Sequence, residues 1–122
     1  MAVACLALAG TALADSPGTV AGLRAQVARL ITAELGRDTA TVCAIVANTA
    51  TIHGQTCEQR WGRSIGHFLK HGGRHVLRAD MKAVPTAAVS SNGYAASIAL
   101  PHPLLAGQSN FSWYDNCWML EK

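Results

Sequence analysis

Apolar positions recur at helical spacing soon after the chain begins. Val20, Leu23, Val27, Leu30, Ile31 and Leu35 form one stripe, with Arg24, Arg29 and Glu34 off it. Ser16 suits a helix cap, Pro17 its first turn and Gly36 its stop. Thr39 to Ile52 is rich in Thr, Val and Ile, and Val42 to Ala47 is apolar on both faces. That pattern predicts a central strand, covered on both sides or dimerising, with Asn48-Thr49 a candidate break into a hairpin.

Thr56 and Gln59 have capping-box spacing, and Cys57, Trp61, Ile65 and Phe68 follow as a core-facing stripe. A second helix is predicted there, ending at Gly72-Gly73. Beyond Gly73 the period changes to two, His75, Leu77, Ala79 and Met81 alternating with Arg74, Val76, Arg78 and Asp80. Val84–Ser91 and Tyr94–Leu100 are strand-like and flank Asn92-Gly93, a strong hairpin signal. Pro101-His102-Pro103 stops the second arm, Ala106–Asn110 is a polar loop, and Phe111–Leu120 is a final strand. The expected order is α-β-α-β-β-β-β. It implies an α+β fold, an antiparallel sheet of about four to five strands with two helices packed on one face.

The first fourteen residues carry no charge and close on the small residues Ala12 and Ala14. They read as the end of a secretory signal peptide cut after Ala14, although no Lys or Arg opens the run. The alternative is a buried Ala-rich helix. The run falls short of the ~20 apolar residues that span a bilayer. Residues 15–122 then form one small exported domain, and the Ala-rich leader points to a bacterial periplasm or to secretion. In such a compartment the four cysteines favour a bridge. Cys43 sits in an apolar run and reads as a small hydrophobe, Cys5 leaves with the signal, and the expected disulfide is Cys57–Cys117.

Half of the 122 residues are apolar and 14% are charged, which argues against disorder. The formal charge of +3 is mild, but it is concentrated. Between residues 58 and 82, Arg60, Arg63, Lys70, Arg74, Arg78 and Lys82 face only Glu58 and Asp80. One face of the second helix, within residues 58–78, carries Arg60, Arg63, His67, Lys70, His71 and Arg74. This face suits a carboxylate or phosphate. His67 and His71, one turn apart, are the candidate zinc ligands, with His75, Asp80 or His53 needed as a third. Phe111, Trp113, Tyr114 and Trp118 bring large rings into residues 111–118, a candidate protein-binding patch.

No carboxylates form an obvious acid–base pair, and there is no nucleophile elbow or phosphate-binding glycine loop. The expected function is therefore binding: an inhibitor, immunity-type or accessory protein meeting another protein or an anionic ligand in the cell envelope. No cofactor is implied, and no nucleic acid is expected, because the aromatics lie apart from the basic segment. The competing classes are a small hydrolase, metal-dependent through His67 and His71 or nuclease-like, and a structural subunit of an envelope complex.

Overall fold

The computed structural model describes residues 16–47, 49–104 and 109–121. The candidate export segment 1–14, the Asn48 break and residues 105–108 of the polar loop lie outside them. Helices come first and a four-stranded antiparallel sheet follows, an α+β architecture as expected.

Helix α1 spans Val20–Leu35. Thr19, rather than Ser16, caps it, its hydroxyl accepting from the Gly22 N–H at 3.0 Å. The preceding segment is held instead by two indoles. Trp113 Nε1 donates to the Ser16 carbonyl and Trp118 Nε1 to the Thr19 carbonyl, both at 3.0 Å. Leu23, Val27, Leu30 and Ile31 are fully buried, as their spacing predicts.

Residues 39–45 are a helix, α2 (Thr39–Ile45), and not the expected strand. Asp38 decides this locally. Its carboxylate accepts from the Thr41 N–H at 3.2 Å and from the Thr41 hydroxyl at 2.6 Å, which caps the turn. Strand propensity yields to that cap and to burial of Val42 and Ile45. Strand character survives only at Val46, which bridges Leu120 in parallel, and Ala47 N–H donates to the Leu120 carbonyl at 2.8 Å. Val42, Ile45 and Val46 of the apolar run are fully buried in the chain's own core. The doubly apolar strand expected over these residues is therefore a helix.

Helix α3 spans Cys57–Phe68 with the predicted capping box: Thr56 N–H donates to Gln59 Oε1 (2.9 Å) and Gln59 N–H to Thr56 Oγ1 (3.2 Å). Cys57, Trp61 and Ile65 are buried, while Phe68 is exposed. A wide turn, Leu69–Gly73, breaks the helix where the glycine pair predicts a stop. Gly72 adopts φ 91°, a conformation most side chains resist.

The chain then re-enters a helix, α4 (Arg74–Ala83), where alternation predicts a strand. The buried positions are Leu77, Asp80 and Val84, at helical spacing. A carboxylate at the middle position hides that period from any apolar count.

The sheet runs β1 (Val89–Ser91), β2 (Ala95–Ile98), β3 (Asn110–Tyr114) and β4 (Cys117–Leu120), each antiparallel to the next. Asn92-Gly93 turns the first hairpin, Asn92 Oδ1 accepting from the N–H groups of Tyr94 and Ala95. The expected single final strand is a second hairpin, because Asp115 and Asn116 both take positive φ (52° and 61°). Two such residues form the tight turn that matches strand twist. Trp113 and Trp118 face each other across it, ring centres 5.2 Å apart.

A disulfide joins Cys43 to Cys57, with Cα atoms 6.1 Å apart, so Cys57 is not paired with Cys117 as expected. Once residues 39–45 are helical, Cys43 projects from α2 toward the start of α3. Cys117 opens β4 elsewhere, 3.5 Å from Gln26 Nε2 of α1, and is itself disulfide-bonded.

Candidate functional site

A groove of about 540 Å³ opens between the α1–α2 corner and the outer face of α3, the wide turn and α4. Arg37, Arg63, His67, Lys70 and Arg74 line it, over a floor that includes Gly62 and Gly66. Of the six residues expected on the basic face, four line this groove. The others are used differently. Arg60 donates to the Ala50 carbonyl at 2.8 Å and braces the loop before α3. His71 Nδ1 donates to the His67 carbonyl at 2.8 Å, its ring 4.2 Å from that of His67.

Arg37 is the groove residue that helical periodicity does not reveal. It lies just past the end of α1, where Arg37 N–H donates to the Glu34 carbonyl (3.1 Å) and Asp38 N–H to the Ala33 carbonyl (2.8 Å). These two bonds define a Schellman turn with Arg37 at the position that usually takes glycine. Its φ is 55°, while Gly36, one residue earlier, has an ordinary φ of −90°. The expected glycine stop is therefore displaced by one residue, and an arginine holds the left-handed conformation. Gly66 receives it. A Cβ at Gly66 would lie 2.7 Å from Arg37 Nη2, so the guanidinium rests in space that a side chain at position 66 would force it to leave.

The groove's positive charge is not neutralised from within. Among the described residues no carboxylate forms an ion pair with Arg37, Arg63, Lys70 or Arg74. Asp38, next in sequence, is committed to Thr41. Those hydrogen bonds, chiefly the one from the hydroxyl, hold its carboxyl below the usual range. Arg63 donates from both terminal nitrogens to the Gln55 carboxamide oxygen (3.0 and 3.3 Å), with that amide oriented oxygen-first.

Elsewhere, α1 and α4 bring together two acids that show no pairing in the sequence. Glu34 and Asp80 are each 1% exposed. Burial, and secondarily the Asp80 charge, pushes the Glu34 carboxyl up to about 8. Asp80 is also raised by burial, opposed by the His102 N–H that donates to its Oδ1 at 2.9 Å and by the His102 charge. Glu34 Oε2 and Asp80 Oδ2 are buried without a hydrogen-bond partner. This pair sits in the core, and neither residue lines the groove.

The metal and aromatic expectations fare differently from the basic face. Among the described residues, no group of three or more His, Cys, Asp or Glu side chains is placed to hold a metal ion. Asp80, one of the third ligands the sequence offers to His67 and His71, is turned into the core. The four aromatics do not form one surface. Phe111 (1% exposed) and Trp118 (2%) are core residues. Trp113 is half-buried on the N-terminal segment, and only Tyr114 is open to solvent.

Comparison with known proteins finds no match to this chain: no family model, no curated protein and no solved structure is significantly similar.

Proposed function

We propose that this chain is a small exported binding protein that captures an anionic ligand in the groove between Arg37 and the α3–α4 face. The carrying observation is the convergence of five basic side chains, from two separated segments, on one concavity with a glycine floor and, among the described residues, no ion-paired carboxylate. Export is supported by the Cys43–Cys57 disulfide and by the uncharged apolar run at residues 1–14. Among the described residues no helix is long and apolar enough to cross a membrane.

Hydrogen bonds to charged groups contribute roughly 1.5–3 kcal/mol each. Two or three of them at a half-open groove support dissociation constants from about millimolar down to micromolar, weakening with salt.

The test is calorimetric titration of pyrophosphate at low ionic strength into the native protein and into an Arg63→Glu/Lys70→Glu variant. The expected result is at least a tenfold loss of affinity, measured at a temperature where both proteins are folded. Charge reversal at Arg78 and Lys82, on the exposed side of α4 and outside the groove lining, leaves binding within about twofold. Equal affinity of the native protein and the Arg63→Glu/Lys70→Glu variant overturns the proposal.

A further inference from the structure

Resting on that reading, we infer that the groove is built for a ligand carrying at least two phosphate groups, clamped between Arg37 on one wall and Lys70 with Arg74 on the other. Three observations carry this. The first is size. At about 540 Å³ the groove falls in the range of sites for organic ligands, and a lone phosphate ion fills only a small part of it.

The second is the layout of charge. Arg63, His67, Lys70 and Arg74 follow one another at four, three and four residues along α3, the wide turn and the start of α4. At about 1.5 Å per residue, Arg63 and Lys70 stand roughly 10 Å apart along the axis, with Arg74 further on beyond the bend. One small anion cannot contact them all, whereas anionic groups joined in one ligand can.

The third is Arg37. Its left-handed backbone is one that glycine adopts freely and arginine does not. Its guanidinium makes no hydrogen bond to the described residues, and the absence of a side chain at Gly66 leaves the space it occupies. The Schellman turn fixes this backbone, and it leaves the guanidinium with its donors unspent at the edge of a basic groove, placed to meet a ligand. Phosphate suits this donor set. Its tetrahedral oxygens accept from an arginine fork and from a lysine point charge approaching in different directions.

The experiment is calorimetric titration of orthophosphate, pyrophosphate, tripolyphosphate and citrate at low ionic strength and pH 7. It uses the native protein, Arg37→Gly, and Arg78→Ala as a control of equal charge change outside the groove. Tripolyphosphate is expected to bind at least tenfold tighter than orthophosphate. Arg37→Gly is expected to lose at least tenfold of tripolyphosphate affinity while its thermal midpoint holds or rises, and Arg78→Ala to behave as native.

Equal affinities for orthophosphate and tripolyphosphate overturn this inference and leave the anion-binding reading intact. Citrate binding as tight as tripolyphosphate overturns the assignment to phosphate. A parallel loss of affinity in Arg78→Ala shows general charge attraction and overturns the clamp. A fall in the thermal midpoint of Arg37→Gly with affinity unchanged makes Arg37 structural, which also overturns it. Failure of every anion to bind removes the anion-binding reading itself.

Discussion

Replacing Glu34 by glutamine should flatten the pH dependence of stability. In the unfolded chain this carboxyl titrates near 4.5; in the folded protein it titrates near 8. Between those values the folded state holds a proton that the unfolded state has released. Stability therefore falls as pH rises, by up to about 1.4 kcal/mol per pH unit, and the loss is complete above pH 8. The whole shift corresponds to roughly 5 kcal/mol, comparable to the total stability of a small domain. Among the described residues, the one charge that bears on Glu34 is Asp80, and it acts in the same direction as burial. Asp80 on α4 is itself raised by burial, and α2 carries no ionisable side chain except the disulfide-bonded Cys43. His102, beyond β2, bears on Asp80 and opposes that rise.

Glutamine keeps the shape of the side chain and cannot ionise. The assay is urea unfolding followed by tryptophan fluorescence at pH 5, 6, 7 and 8. The quantity compared is the slope of unfolding free energy against pH, which a constant offset from the substitution does not affect. The native protein should lose stability steadily across this range, and Glu34→Gln should lose several kcal/mol less. Parallel curves for the two proteins would refute the reasoning.

Further outcomes are expected from the same structure. Substituting both Cys43 and Cys57 by alanine should lower unfolding free energy by about 3 kcal/mol, from the loop of separation 14 that the bond closes, read by urea denaturation. Gly66→Ala should displace the Arg37 guanidinium and weaken pyrophosphate binding in calorimetry, even though alanine favours the helix by up to about 1 kcal/mol. Arg24→Met should cost about 1–3 kcal/mol in thermal unfolding. Arg24 Nη1 donates to the Val84 and Ala87 carbonyls (2.6 and 2.8 Å), and methionine leaves both without that donor.

The elements that could be read from the sequence are those whose local signals agree with their environment. The α1 stripe, the Thr56–Gln59 capping box and the Asn92-Gly93 turn each state one structure at short range, and the structure adopts it. Residues 39–45 and 74–83 depart from their sequence pattern for different reasons. In the first, β-branched composition outweighs a single capping aspartate in the pattern, but in the fold that cap and burial of Val42 and Ile45 prevail. In the second, Asp80 occupies a core position as an acid, so the helical period has a gap where the eye expects an apolar residue. The Asp115-Asn116 turn lacks the glycine that usually signals it. The unexpected disulfide follows from the first departure, since pairing depends on where Cys43 points.

The candidate site divides in the same way. Its α3–α4 row was legible as clustered charge, because helical spacing alone puts Arg63, His67 and Lys70 on one face. Arg37 was not. Its place depends on a left-handed turn at the end of α1 and on a glycine, Gly66, far along the chain. Neither leaves a periodic trace. The Glu34–Asp80 pair was hidden likewise, since only the packing of α1 on α4 joins them.

The most direct test of anion capture is a two-dimensional amide NMR titration of the native protein with pyrophosphate at low ionic strength, repeated in high salt. The account predicts saturable shifts concentrated at Arg37, Gly62, Arg63, Gly66, His67 and Lys70, abolished by salt. Absence of shifts, or shifts spread evenly over exposed basic residues such as Arg78 and Lys82, would contradict it.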